Sequence, residues 1–229
     1  MGQAKIKRER QKALEAAAGK QETPANTPPQ TITQPKVSAK KILIDISRVP
    51  LLKQEDPRFK SLFAMMEAKL ADPRQVEAIC IHESTHMYYL IKAGVDDFVF
   101  AGPTITYDEK EGFDHTGASV QAKSFDKALA GQTKDVTWAF TVAKSCVGGG
   151  IGVEVLCRNI SDNGASGDRE RFDTMYDLLK KSGLSIPKDE FRKEAERLVR
   201  AELETIPDLG KHIREVADGY VKDQLFKWV

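Results

Sequence analysis

Two periods organise the hydrophobic positions of this chain, and its first forty residues follow neither. In K-I-L-I-D-I-S-R, residues 41 to 48, Ile42, Ile44 and Ile46 alternate with Leu43, Asp45 and Ser47, which predicts a short strand opening the folded part. Asp56-Pro57 then starts a helix whose apolar positions, Phe59, Leu62, Phe63, Met66 and Leu70, fall at helical intervals. A second helix follows almost directly. Asp72 is its N-cap, Pro73 its first residue, Gln75 has the capping-box spacing, and Gly94 stops it. Val76, Ile79, Cys80, Met87, Leu90 and Ile91 give this helix an inward side. Phe98 to Tyr107 and Gly117 to Ala122 read as a β pair, with turn residues from Asp108 to Gly112 and a lone His115 in the connection.

Beyond these, Asp135 to Cys157 is apolar on most sides and predicts a central buried helix or pair of helices. Gly148, Gly149, Gly150 and Gly152 interrupt it, and a close approach of another backbone is the natural reason. Glu154 is a charge set among the apolar residues of that element, and a buried carboxylate there needs a partner such as a histidine N–H or a metal. A polar turn over residues 161 to 172 runs into a helix marked by Phe172, Met175, Tyr176 and Leu179. Two more helices follow, one with Phe191, Ala195, Leu198 and Val199 inward, the other with Leu209, Ile213, Val216 and Tyr220. His212 and the many charges between them form solvated faces.

Composition narrows the class. With 229 residues the chain can bury one good-sized core, and 41% hydrophobic with 30% charged residues is ordinary for a globular protein. Residues 1–40 combine a basic, Ala-rich start with a Thr/Pro/Gln stretch, which predicts a disordered tail ahead of a folded domain at 41–229. The 35 basic and 34 acidic residues nearly cancel, so no general nucleic-acid surface is expected. The sequence shows neither 18 consecutive apolar residues nor a secretion signal, and the expected setting is the cytoplasm, without a transmembrane segment. Cys80, Cys146 and Cys157 lie in apolar contexts without metal spacing and are expected to be buried, reduced thiols.

One stretch carries chemistry in its spacing. His82, Glu83 and His86 form H-E-x-x-H, and on a helix residues four apart share a face, so both imidazoles can reach one metal ion. Zn²⁺ held by two histidines and a third protein ligand lowers the pKa of water in its fourth position, and the adjacent Glu83 can take that proton as general base. A strand following such a helix can hold an extended peptide along its edge.

The H-E-x-x-H helix, then Gly149-Gly150-Ile151-Gly152-Val153-Glu154, then Gly164-Ala165-Ser166-Gly167-Asp168-Arg169-Glu170-Arg171 at a helix start, resembles the peptidase domain of the FtsH-type ATP-dependent zinc proteases. The resemblance covers about residues 70 to 225. It implies that His82 and His86 are zinc ligands, Asp168 the third ligand, Glu83 the general base, and Glu154 a carboxylate near the metal in its second shell. Asp162 and Asp173 stand close enough to Asp168 to be alternatives. Two departures stand out: Thr85 occupies a position where the family has a small residue, and no G-x-x-x-x-G-K-[ST] phosphate loop or membrane anchor occurs.

The fold expected is thus mainly α-helical, a zinc-metallopeptidase domain with a small β element beside the active-site helix. The function expected is hydrolysis of polypeptides without an ATPase of its own, alone or served by a separate ATPase. The rival expectation is a catalytically inactive interaction domain that retains the fold, and a hydrolase of other substrates would share every site residue. Oligomeric state is not legible.

Overall fold

Asp-Pro-Arg occurs twice near the start of the folded part, and each copy begins a helix in the same way. In this computed structural model, which describes residues 41–125, 127, 135–157, 160 and 166–229, helices α2 (Pro57–Ala71) and α3 (Pro73–Lys92) are capped by Asp56 and Asp72. Each carboxylate accepts the backbone N–H of the arginine two residues on, at 2.9 and 3.0 Å, and also pairs with its guanidinium at 2.8 and 2.9 Å. The cap therefore runs through Arg74, and not through the capping-box residue Gln75. Gly94, at φ 80°, ends α3 by turning its N–H to Ile91, as a C-terminal glycine should. The expected tail at residues 1–40 lies outside the described residues.

Elements follow in the order β1 (Asp45–Arg48), α1 (Leu51–Gln54), α2, α3, β2 (Phe98–Ala101), β3 (Thr104–Asp108), β4 (Gly112–Thr116), β5 (Ser119–Ala122), α4 (Val136–Leu156), α5 (Ser166–Lys181), α6 (Lys188–Thr205) and α7 (Leu209–Val216). A π-turn, Ala217–Val221, and a short α8 (Lys222–Leu225) close the chain. The protein is mainly helical with little sheet, as the sequence predicts.

The β region is divided differently from the expectation. The first apolar run breaks at Gly102-Pro103, where a Cβ on Gly102 would lie 2.5 Å from the Leu225 carbonyl oxygen and where proline has no N–H for a ladder. Its halves join different sheets. β2 pairs antiparallel with β5 (Phe98 opposite Ala122, Phe100 opposite Val120), whereas β3 lies between β1, parallel, and β4, antiparallel. β4 occupies residues assigned above to a connection, so His115 sits on a strand opposite Ile105. Gly112 at φ 85° and the Asp108 carboxylate, which accepts from Lys110 and Glu111 N–H, make the tight turn that permits this.

α4 is one continuous helix, packed against α3, α5 and α6. By length and composition it is apolar enough to cross a bilayer, yet here it forms the centre of a helical core. Phe172, Met175, Leu179, Phe191 and Ala195 close one side of that core, and Val199, Ile213 and Val221 belong to the other. Tyr220, expected to face inward, is exposed, because the π-turn adds a residue and brings Val221 into its place. Ile91, also expected inward, is exposed. Residues 41 and 229 donate backbone hydrogen bonds to each other, at 3.1 and 2.9 Å, so the last residues lie antiparallel to the first described ones. All three cysteines are buried free thiols.

Candidate metal centre

The long helix α3 carries both histidines one turn apart and buries them, at 8% exposure for His82 and 2% for His86. Their Nε2 atoms are 2.8 Å apart, facing one point. Asp168, in the first turn of α5, brings Oδ2 to 3.0 Å from His82 Nε2 and 3.2 Å from His86 Nε2. A tetrahedron with metal–ligand bonds of about 2.0–2.1 Å has edges of about 3.3 Å, so the three donor atoms are already close to ligand spacing. This buried group can hold a metal ion.

Two backbone features prepare it. Gly149 of α4 lies against the metal-facing edge of both imidazoles: a Cβ there would fall 2.5 Å from His82 Nε2 and closer still to His86 Nε2. The glycine run thus admits the metal-facing atoms of side chains, where the sequence suggested an approaching backbone. His86 Nδ1 donates to the Ser145 carbonyl, also on α4, which fixes the tautomer and leaves the Nε2 lone pair for a metal.

Burial would raise the Asp168 carboxyl, but its bonds to His82 and His86 outweigh that and hold it well below the usual carboxylate range, ionised as a ligand must be. Glu83 is 7% exposed, and its Oε2 accepts the Val120 N–H of β5 at 2.8 Å. Burial pushes its carboxyl up, against the pull of both histidines and of the Val120 N–H. Thr85 is fully buried against Gly148 and Gly152 and donates to the Ile81 carbonyl at 2.7 Å. Its extra volume is therefore taken up by missing side chains on α4.

Glu154 is a correction. It is exposed and pairs with Arg200 at 2.7 Å, so it is neither buried nor near the histidines. Five residues beyond Gly149 on a helix of 100° per residue, it points about 140° away from the site. Asp173 pairs with Lys188 at 3.1 Å, and Asp162 lies outside the described residues.

A cleft of about 640 Å³ opens over the three ligands, walled by α2 and α3, by β4 and β5, and by the start of α5. His115 lines it, exposed, as do Ser119, Val120 and Gln121 of β5 and Arg171. Compared with known proteins, the chain matches no family model, no curated protein and no solved structure. What the site can do is read from its own geometry. Ser145, Val120 and Arg171 are the residues that sequence reasoning missed. The first two act through main-chain atoms, which leave no mark on residue type, and Arg171 figures only as the end of the 164–171 block, with no role.

Proposed function

We propose that the protein is a zinc-dependent metalloendopeptidase, with a chemistry like that of the FtsH-type peptidase domains its sequence resembles. The observation that carries this reading is the approach of Asp168 Oδ2 to both histidine Nε2 atoms, with the Glu83 carboxylate beside them on the same helix. When bound, the metal supplies Lewis acidity, which eases deprotonation of water and polarises a carbonyl.

The chain's own groups do the rest. His82, His86 and Asp168 hold the ion, and the Ser145 carbonyl keeps His86 in the tautomer that can bind it. Glu83 takes a proton at Oε1 while Oε2 stays on Val120 N–H, and returns it to the leaving amine. β5, paired with β2 along one edge, has no strand on its other edge among the described residues, and it lines the cleft. That edge favours an extended polypeptide over other hydrolysable substrates. No phosphate loop occurs in these 229 residues, so the unfolding of folded substrates falls to an ATPase outside them.

The deciding experiment pairs elemental analysis with cleavage of a peptide library. We expect one zinc per chain in wild type, lost in His86→Ala and Asp168→Ala, and full metal but no cleavage in Glu83→Gln. Cleavage retained by Glu83→Gln would overturn the mechanism. Zinc without any cleavage by wild type would favour a non-catalytic interaction domain.

A further inference from the structure

A second cavity, of about 260 Å³, adjoins the metal cleft and shares Gln121 and Arg171 with it. Leu90, Ala122, Phe125, Met175 and Leu178 give it an apolar side, Gln121, Ser145, Thr174 and Arg171 a polar one, and no acidic residue lines it. Its volume suits one large side chain. Arg171 is its one charged lining residue, three positions after Asp168 on α5 and so on nearly the same helix face.

Arg58, Arg74, Arg192, Arg197, Arg200 and Arg214 each pair with a carboxylate. Among the described arginines with no carboxylate partner, Arg48 and Arg169 are exposed and Arg171 is half-buried. A guanidinium keeps its charge at any accessible pH, and its planar fork matches a carboxylate in two parallel bonds. Arg171 stands between the metal cleft and the second cavity.

Strand spacing connects this position to the chemistry. Val120, which holds Glu83, and Ala122, which lines the cavity, are two residues apart on β5, roughly 6.6–6.8 Å. A peptide extended along that edge with its scissile bond at Glu83 brings a residue one or two places away to the cavity mouth.

We propose that Arg171 determines specificity: it binds a carboxylate of the substrate while the cavity behind it takes a neighbouring large apolar side chain. The inference rests on the peptidase reading of the same site and names its substrate class, polypeptides with an apolar residue and a carboxylate close to the cleaved bond. The carboxylate can belong to an acidic side chain or to a chain end.

The test uses quenched fluorescent peptides with a fixed leucine or phenylalanine. One arm compares glutamate with glutamine next to it, and the other compares a free C-terminal acid with its amide. Wild type should prefer the acid form in one arm by about tenfold or more in kcat/KM, mostly through KM, the scale of a charge-assisted hydrogen bond. The arm that responds identifies the source of the carboxylate. Arg171→Gln should erase the preference, Arg171→Lys should keep part of it, and Arg171→Glu should turn it toward lysine in the side-chain arm. Zinc content equal to wild type in all three separates recognition from damage to Asp168.

The same peptides are titrated calorimetrically onto zinc-loaded Glu83→Gln, where no turnover is needed. Cleavage by wild type with no acid preference in either arm overturns the inference and leaves the peptidase reading standing. If wild type cleaves nothing, the peptidase reading fails, and the binding titration decides about Arg171 by itself: equal affinity for acid and neutral peptides overturns it.

Discussion

Gly149 and His82 are complementary across the α3–α4 contact: the hydrogen of the glycine occupies the space where any Cβ would lie 2.5 Å from His82 Nε2. The ligand atoms therefore depend on a residue that binds nothing. Gly149→Ala should reduce metal affinity at least tenfold while the helical circular dichroism stays native, because alanine favours the helix by about 1 kcal/mol even as it displaces the imidazoles. Unchanged zinc content in that variant would show that the imidazoles have room to move.

Thr85 and Gly152 form a second complementary pair. An added Cβ at Gly152 would come within 3.0 Å of Thr85 Cβ, so Gly152→Ala should cost about 1–3 kcal/mol, as overpacking does. Thr85→Ala in the same chain should recover much of that loss. A double-mutant cycle by denaturant unfolding measures the coupling, and strict additivity would disprove the contact.

Because the three ligands come from two helices, α3 and α5, metal binding should stabilise the folded chain. Free metal at about 100 times its Kd contributes about 2.7 kcal/mol, which in a chain of this size is a rise of about 5–11 °C in Tm. Chelator should remove it from wild type and leave His86→Ala unaffected. A Tm indifferent to chelator in zinc-loaded wild type would contradict a site shared between the two helices.

The thiols give a pH dependence. Burial pushes Cys80 and Cys146 up to about 12 and Cys157 to about 11, above the ordinary value of about 8.5. Their folded pKa values exceed the unfolded ones, so this contribution to stability is complete below about pH 8.5 and is lost as pH rises toward 11 and 12. Denaturant midpoints should fall steadily above pH 9, and the native thiols should resist a disulfide reagent at pH 8 yet all react when unfolded. Rapid labelling of the native protein would contradict their burial.

Local signals made α3 legible: a cap, a proline, an apolar side and a terminating glycine enclose the H-E-x-x-H spacing, and the structure departs from them only in the role of Gln75 and the exposure of Ile91. Asp168 was reached through a resemblance, since nothing local marks one aspartate among several. Glu154 misled because a charge on an apolar helix looks buried, while its partner Arg200 comes from a helix 46 residues away in the chain. β4 escaped because Gly-Phe-Asp-His-Thr lacks alternation and is recruited by its turn and by β3. The exchange of Tyr220 for Val221 depends on a π-turn, which shifts every later position by one and has no composition of its own.

The antiparallel bonding of residues 41 and 229 places the two ends of the described domain side by side. A short linker could join them without disturbing a helix, and the chain could be opened instead in the turn between Asp108 and Gly112. In such a circular permutant the histidines would follow Asp168 in chain order, with the same three helices packed around the same ligand atoms. Connectivity could then be rewired while the site itself was conserved.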